Sequence, residues 1–290
     1  MTAPADPTRT PHSTPAPAPD PARCALVLGS SFLGVYAHTG FLAGLHEADF
    51  SPARIAGSSA GAFAGGLHAA GLRGDPLRTT LLAPVMRHAF LDAGALWRLP
   101  GILTTLWSSG LFTGDRLVRH LRNTLGDIDL RDTPLDIAVT NADTARTEIH
   151  RSGPLAELIM ASCAVPGLFT ARNIGPHRYL DGGISAELPY HHLIDDPAIQ
   201  TIVIHRIRHQ KSPAPPANLT IKHVIAATHR NSCREFHAIR SNLARAAGKS
   251  IIELTTTTPP PGLLSRRHDA GNFHLGLQSA RRFLAGSIHG

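Results

Sequence analysis

Residues 57–61 read Gly57-Ser58-Ser59-Ala60-Gly61, a G-x-S-x-G. A serine hydroxyl becomes a useful nucleophile only when a base takes its proton and donors receive the charge that develops on the attacked carbonyl oxygen. Here a short β-prone stretch (Arg54, Ile55, Ala56) precedes the pentapeptide and a run of small residues able to start a helix follows it. That context suits a sharp strand-to-helix turn exposing Ser59 beside the positive end of a helix dipole. Gly57 and Gly61 would let neighbouring backbones come close.

Asp181 in Tyr179-Leu180-Asp181-Gly182-Gly183 is the candidate base, since Gly182 and Gly183 can hold an aspartate in a fixed turn. The candidate oxyanion donors are the backbone N–H groups of Gly29, Ser30, Ser31 and Phe32, in a loop that runs from a strand to a helix N-terminus. Each of the three segments, taken alone, also fits an ordinary turn. The eighteen histidines open a Ser-His-Asp alternative, with His205 at a strand end and His38 near the loop. His191-His192 has no carboxylate at ligand spacing, so a metal site is not expected there.

These residues need a scaffold. Arg23 to Leu28 is an apolar strand candidate, 29–34 a loop, Val35 to Ala48 a helix, and a short strand then leads to Ser59 and a second helix. The βαβα order implies a parallel sheet. Further on, 114–125, 155–164 and 219–247 read as helices and 135–140 and 200–205 as strands. In the helix over 219–247, Ile221, Val224, Ile225, Phe236, Ile239 and Leu243 form one stripe. Residues 212–217 read as a Pro-rich loop, 255–261 as a turn or linker, and the C-terminal part as helical. The apolar segment 77–112, with both tryptophans, is either core helices or a cap that touches an acyl chain or an interface.

Residues 1–22 are Pro-, Ala- and Thr-rich with no apolar h-region, so they read as a disordered leader and not as a secretory signal. Residues 23–290 read as one α/β domain. No run approaches the roughly 20 apolar residues of a membrane span. Three widely spaced cysteines give neither a disulfide framework nor metal-ligand spacing, which suits a cytoplasmic protein, and Cys163 reads as a small core residue. Net charge is +7 and pI about 10. That balance favours anionic surfaces, including a peripheral contact with acidic lipid. No nucleic-acid-binding signature is present, and the first loop lacks both G-x-G-x-x-G and a Walker lysine, which argues against nucleotide binding.

The order of the segments resembles the patatin-like phospholipase family. The resemblance rests on the loop after the first strand, Ala37-His38-Thr39-Gly40-Phe41-Leu42, Gly57 to Gly61, Ala161-Ser162-Cys163-Ala164-Val165-Pro166-Gly167, and Asp181-Gly182-Gly183 with Leu188-Pro189. Gly110-Leu111-Phe112-Thr113-Gly114-Asp115 adds to it, and it spans about residues 23–190. It implies a three-layer α/β/α patatin-like fold with a mainly parallel central sheet. It also implies a Ser59–Asp181 dyad without a catalytic histidine, acyl esters of phospholipids or related lipids as substrates, and no metal or cofactor. The family loop usually carries three glycines and then a basic residue, whereas here Gly29 is followed by Ser30, Ser31, Phe32 and Leu33. Glu187 also stands where the family often has asparagine or another polar residue. The loop motivates an alternative: a weakly active or inactive relative that binds lipid or a protein partner.

Overall fold

The computed structural model describes residues 18–90, 110–210, 221–260, 262 and 265–286. The expected leader lies mostly outside them. Its end is already part of the fold, because Pro21–Arg23 forms a 3-10 turn capped by Asp20, and Ala53 N donates to Pro21 O at 2.9 Å.

β1 (Cys24–Leu28) is buried along its whole length, as a strand covered on both faces must be. Cys24, Leu26 and Leu28 enter the main core, while Ala25 and Val27 enter a smaller cluster on the opposite face. α1 (Val35–Glu47) returns the chain to β2 (Arg54–Ser58), parallel to β1, and α2 (Ala60–Ala69) follows. This is the expected βαβα unit. α3 (Gly74–Leu82), α4 (Pro84–His88), β3 (Gly110–Phe112) and α5 (Asp115–Leu125) come next. Then come β4 (Leu135–Asn141), β5 (Thr147–His150), α6 (Leu155–Ser162), β6 (Gly167–Phe169), β7 (Arg172–Ile174) and β8 (His177–Asp181). The described chain closes with β9 (Thr201–His209), α7 (Ile221–Ala246), β10 (Ser250–Thr258) and α8 (Asp269–Leu284).

The central sheet runs β10-β9-β1-β2-β4-β8-β7, with β5 also on β4. Pairing is parallel from β10 through to β4 and antiparallel at β4–β8, β8–β7 and β4–β5. α1, α2, α6 and α8 cover one face with the main core. On the other, Leu188, Tyr190, Leu193 and Ile199 cover Ala25, Val27, Ile202 and Ile204, and the Tyr190 hydroxyl donates to the His237 carbonyl of α7 at 3.2 Å. The mainly parallel three-layer α/β/α architecture is therefore present, its second helical layer thinner than the first.

One expectation changes, and another acquires a direction. Thr255 to Thr258 is strand, not turn: β10 pairs in parallel with β9, burying Thr256 and Thr258 and exposing Thr255 and Thr257. The α7 stripe does not face the core, since Val224, Phe236, Ile239 and Leu243 are exposed and Ser241 and Ala244 are buried instead. Small residues on that side let the helix lie close to β10. The side chains of Ile221 and Ile225 lie outside the described residues, as do 91–109 of the apolar segment, with Trp97 and Trp107, and the Pro-rich loop at 212–217.

Candidate active site

β2 ends at Ser58 and α2 begins at Ala60, leaving Ser59 alone at the turn with φ 52° and ψ −117°. A non-glycine residue with positive φ costs about 1–3 kcal/mol and persists only where its surroundings hold it. The Ser59 amide donates to Ser162 Oγ at 2.8 Å, and that hydroxyl donates to Ala138 O at 2.7 Å. Ser162 thus ties the turn to β4, a role its place in the Ala161–Gly167 block did not reveal. The turn also needs its glycines: a Cβ on Gly61 would lie 2.0 Å from Leu28 O, and one on Gly57 would lie 2.6 Å from Ala62 N.

Asp181 ends β8, whose antiparallel pairing with β4 sets it opposite Val139. Its Oδ2 accepts from Ser59 Oγ at 2.6 Å and its Oδ1 from Gly183 N at 2.7 Å. Asp181 is almost fully buried. Loss of water pushes its carboxyl up from 3.8 to about 6, against the two hydrogen bonds that pull it down. Gly183 is tightly placed, because a Cβ there would lie 2.1 Å from Ser30 Oγ and 3.0 Å from Asp181 Oδ1. A Cβ on Gly182 would lie 2.2 Å from Ala138 O. The loop, the aspartate turn and the serine turn therefore meet at one point.

The four expected donors do not remain equal. Gly29 N donates to His205 O at 3.2 Å, extending the β1–β9 ladder by one residue, and Ser30 N donates to Glu187 O at 2.8 Å. Those two amides are occupied. The Ser31 and Phe32 amides have no protein acceptor among the described residues, and both residues line the cavity in front of Ser59. Ala60, the first residue of α2, lines it too, and a first-turn N–H has no intrahelical acceptor.

The histidine alternative fails on position. His205 is fully buried with its Nδ1 2.9 Å from His38 Nδ1, and its ring stacks on Phe41. His38 reaches Gly29 O, and Ser59 Oγ bonds Asp181. His192 bonds Asp136 Oδ2 at 2.8 Å, and the partly exposed Arg54 and Arg151 flank the same buried carboxylate, a grouping the sequence did not reveal. Among the described residues no three His, Cys, Asp or Glu side chains are arranged to hold a metal. Cys163 is buried as expected and donates to Ser59 O at 3.4 Å, and burial holds its thiol far above the usual range.

The cavity above Ser59 has a volume of about 370 Å³. Phe63, Leu81, Met86, Phe90, Val165 and Phe169 form its apolar wall, so the described part of the 77–112 segment does border it. Among the described residues, Asp181 is the only carboxylate in the lining, and no lysine or arginine appears there. Phe32 and Ile184 also line it while staying 49% and 40% exposed, which places apolar side chains at its mouth.

Residues 26–194 match the family model described as patatin-like phospholipase, which is more than half of the chain. The chain belongs to the patatin-like phospholipase family. An NTE family protein of Mycobacterium bovis is 30% identical over 169 residues, 58% of this chain and 44% of that protein. Lysophospholipase nte1 of Emericella nidulans is 31% identical over 173 residues, 58% of this chain and 11% of that protein. The chain thus spans less than half the length of these curated relatives. Among solved structures, the type III effector ExoU aligns with TM-score 0.47 and 11% identity, covering 94% of this chain and 55% of that one. VipD from Legionella pneumophila aligns with TM-score 0.46 and 14% identity, covering 92% and 67%.

Proposed function

We propose that this protein is a serine acyl hydrolase that cleaves fatty-acyl esters of phospholipids or related lipids through an acyl-enzyme on Ser59, with Asp181 as base. The observation that carries the reading is the 2.6 Å contact between Ser59 Oγ and Asp181 Oδ2 at the floor of an apolar cavity. Ser59 Oγ attacks the ester carbonyl carbon, and its proton passes to Asp181 Oδ2. Charge on the carbonyl oxygen is received by the Ser31 and Phe32 amides, with the first turn of α2 adding its positive end. Collapse breaks the acyl C–O bond, and the leaving alkoxide takes the proton from Asp181. Water then attacks the acyl-enzyme, Asp181 takes a proton from it, and the fatty acid leaves as Ser59 is reprotonated. A base at about 6 is ionised at neutral pH yet basic enough to accept a proton in the transition state.

The cavity chemistry supports an acyl chain in the pocket and a headgroup outside it. The exposed Phe32 and Ile184 at the mouth suit a lipid surface approached from one side, and no described helix is long and apolar enough to cross a membrane. Purified protein should release fatty acid from a phospholipid panel or a p-nitrophenyl ester, and Ser59→Ala and Asp181→Ala should each abolish release. Near-normal turnover by either variant overturns the roles. The crowded loop, with two of its four amides occupied, favours one second reading: a family member that binds lipid without turning it over. Covalent labelling of Ser59 by a fluorophosphonate separates the two, since vesicle binding without labelling selects the second.

A further inference from the structure

Around the oxyanion loop, three histidines make contacts that none of the chemistry above uses. His38 Nε2 lies 2.9 Å from Gly29 O, His38 Nδ1 lies 2.9 Å from His205 Nδ1, and His205 Nε2 lies 2.8 Å from Thr256 Oγ1. A second chain runs beside the first. His209 Nε2 lies 2.9 Å from Phe32 O and 3.1 Å from Ser31 Oγ, and His209 Nδ1 lies 2.8 Å from Thr258 Oγ1.

For neutral rings, the two carbonyl acceptors set the direction of both chains. A carbonyl oxygen only accepts, so His38 carries its proton on Nε2 and leaves Nδ1 bare. His205 must then donate from Nδ1, leaving its Nε2 to accept from the Thr256 hydroxyl. By the same rule His209 donates from Nε2 to Phe32 O and accepts at Nδ1 from the Thr258 hydroxyl. With all three rings neutral, every ring nitrogen in the two chains meets a complementary partner. Burial agrees: His38 is pushed down to about 4, His205 well below its ordinary value, and His209 lower than usual.

We propose that His38, His205 and His209, anchored by Thr256 and Thr258, are positioning residues that hold the oxyanion loop in its donor-presenting shape. The proposal rests on the acyl-hydrolase reading for its kinetic consequence, though not for its geometry. Three observations support it. The loop contains strain, with Leu33 at φ 50°, and strained segments keep their shape only where neighbours impose it. The held carbonyls, Gly29 and Phe32, flank the two free amides. Between them Ser31 O accepts from Gly34 N at 3.2 Å, and because a peptide unit is planar this also fixes the Phe32 N–H on the opposite side. Finally, His205 and His209 sit on β9 and both threonines on β10, all beyond the family match at 26–194. The last two strands thus supply, through side chains, a rigidity that this Ser-Ser-Phe-Leu loop needs.

The test uses the full chain. Long-range ¹⁵N spectra of the histidine rings at pH 7 should show His38 and His209 as Nε2–H tautomers and His205 as the Nδ1–H tautomer. His205 found as Nε2–H overturns the chain direction and the proposal with it. In p-nitrophenyl ester hydrolysis, His209→Leu should lower kcat roughly ten- to a hundredfold, part of the effect of losing an oxyanion donor, with KM within about twofold. His209→Gln, whose amide can still donate to Phe32 O, should recover most of kcat. Equal kcat loss in both variants, or kcat within twofold of wild type in His209→Leu, refutes the positioning role. If His209→Leu does not fold, Thr258→Val carries the same expectation at smaller size. If the wild type neither hydrolyses esters nor labels at Ser59, the acyl-hydrolase reading falls. The ring tautomers, and faster hydrogen exchange in the 29–34 segment of Thr258→Val, then still decide whether the histidines hold the loop.

Discussion

Replacing Asp181 by Asn should stabilise the fold while removing turnover. Asp181 is buried, has no cation beside it among the described residues, and its carboxyl rises from 3.8 to about 6 on folding. An acid whose value is raised by folding prefers to be protonated in the folded state, so its ionisation costs stability. That cost is absent below the unfolded value, grows through the window from 3.8 to about 6, and is complete above it. At about 1.4 kcal/mol for each pH unit between the two values, the full cost is about 3 kcal/mol. At pH 4.5 the same linkage leaves about 1 kcal/mol. Asparagine keeps the shape: its carbonyl can accept from Gly183 N, and its amide can donate to Ser59 Oγ. Urea denaturation of Asp181→Asn and wild type should therefore show a gap of about 3 kcal/mol in favour of the variant at pH 7, narrowing to about 1 kcal/mol at pH 4.5. A gap of either sign that stays constant between those pH values would refute the assignment of a buried, unneutralised carboxylate.

Three further outcomes follow from the same geometry. The kcat/KM profile should be flat above about pH 6 and fall about tenfold per pH unit below it, because in the proposed mechanism only ionised Asp181 takes the proton; stopped assays from pH 4.5 to 8 read this, and a midpoint near 4 contradicts it. Ser162→Ala should cost about 1–3 kcal/mol in denaturation, since it leaves Ser59 N and Ala138 O unpaired, and should lower kcat more than it raises KM. Gly183→Ala puts a Cβ 2.1 Å from Ser30 Oγ, so it should push the loop off the aspartate turn and cut fluorophosphonate labelling of Ser59 at least about tenfold; unchanged labelling shows that the loop can give way without consequence.

The chain itself carried the parallel βαβα start, the serine turn and the aspartate turn. These depend on local features: an apolar strand, glycines where backbones nearly touch, and small residues opening α2. Motif order then predicted the pairing of Ser59 with Asp181, which β2, β4 and β8 bring to 2.6 Å as sheet neighbours. Which loop amides are free was not legible, because that depends on the carbonyls of Glu187 and His205, contributed by a distant segment and strand. β10 was missed because four consecutive threonines show no alternation in hydropathy, although alternate ones are buried. The apolar stripe of α7 was visible in the sequence, but its direction was not: periodicity reports that a helix has two faces, and only packing decides which of them meets β10. The histidines show the same division. Their number was plain from composition, yet their roles depend on which acceptor each ring nitrogen meets, and only the folded chain brings those partners together.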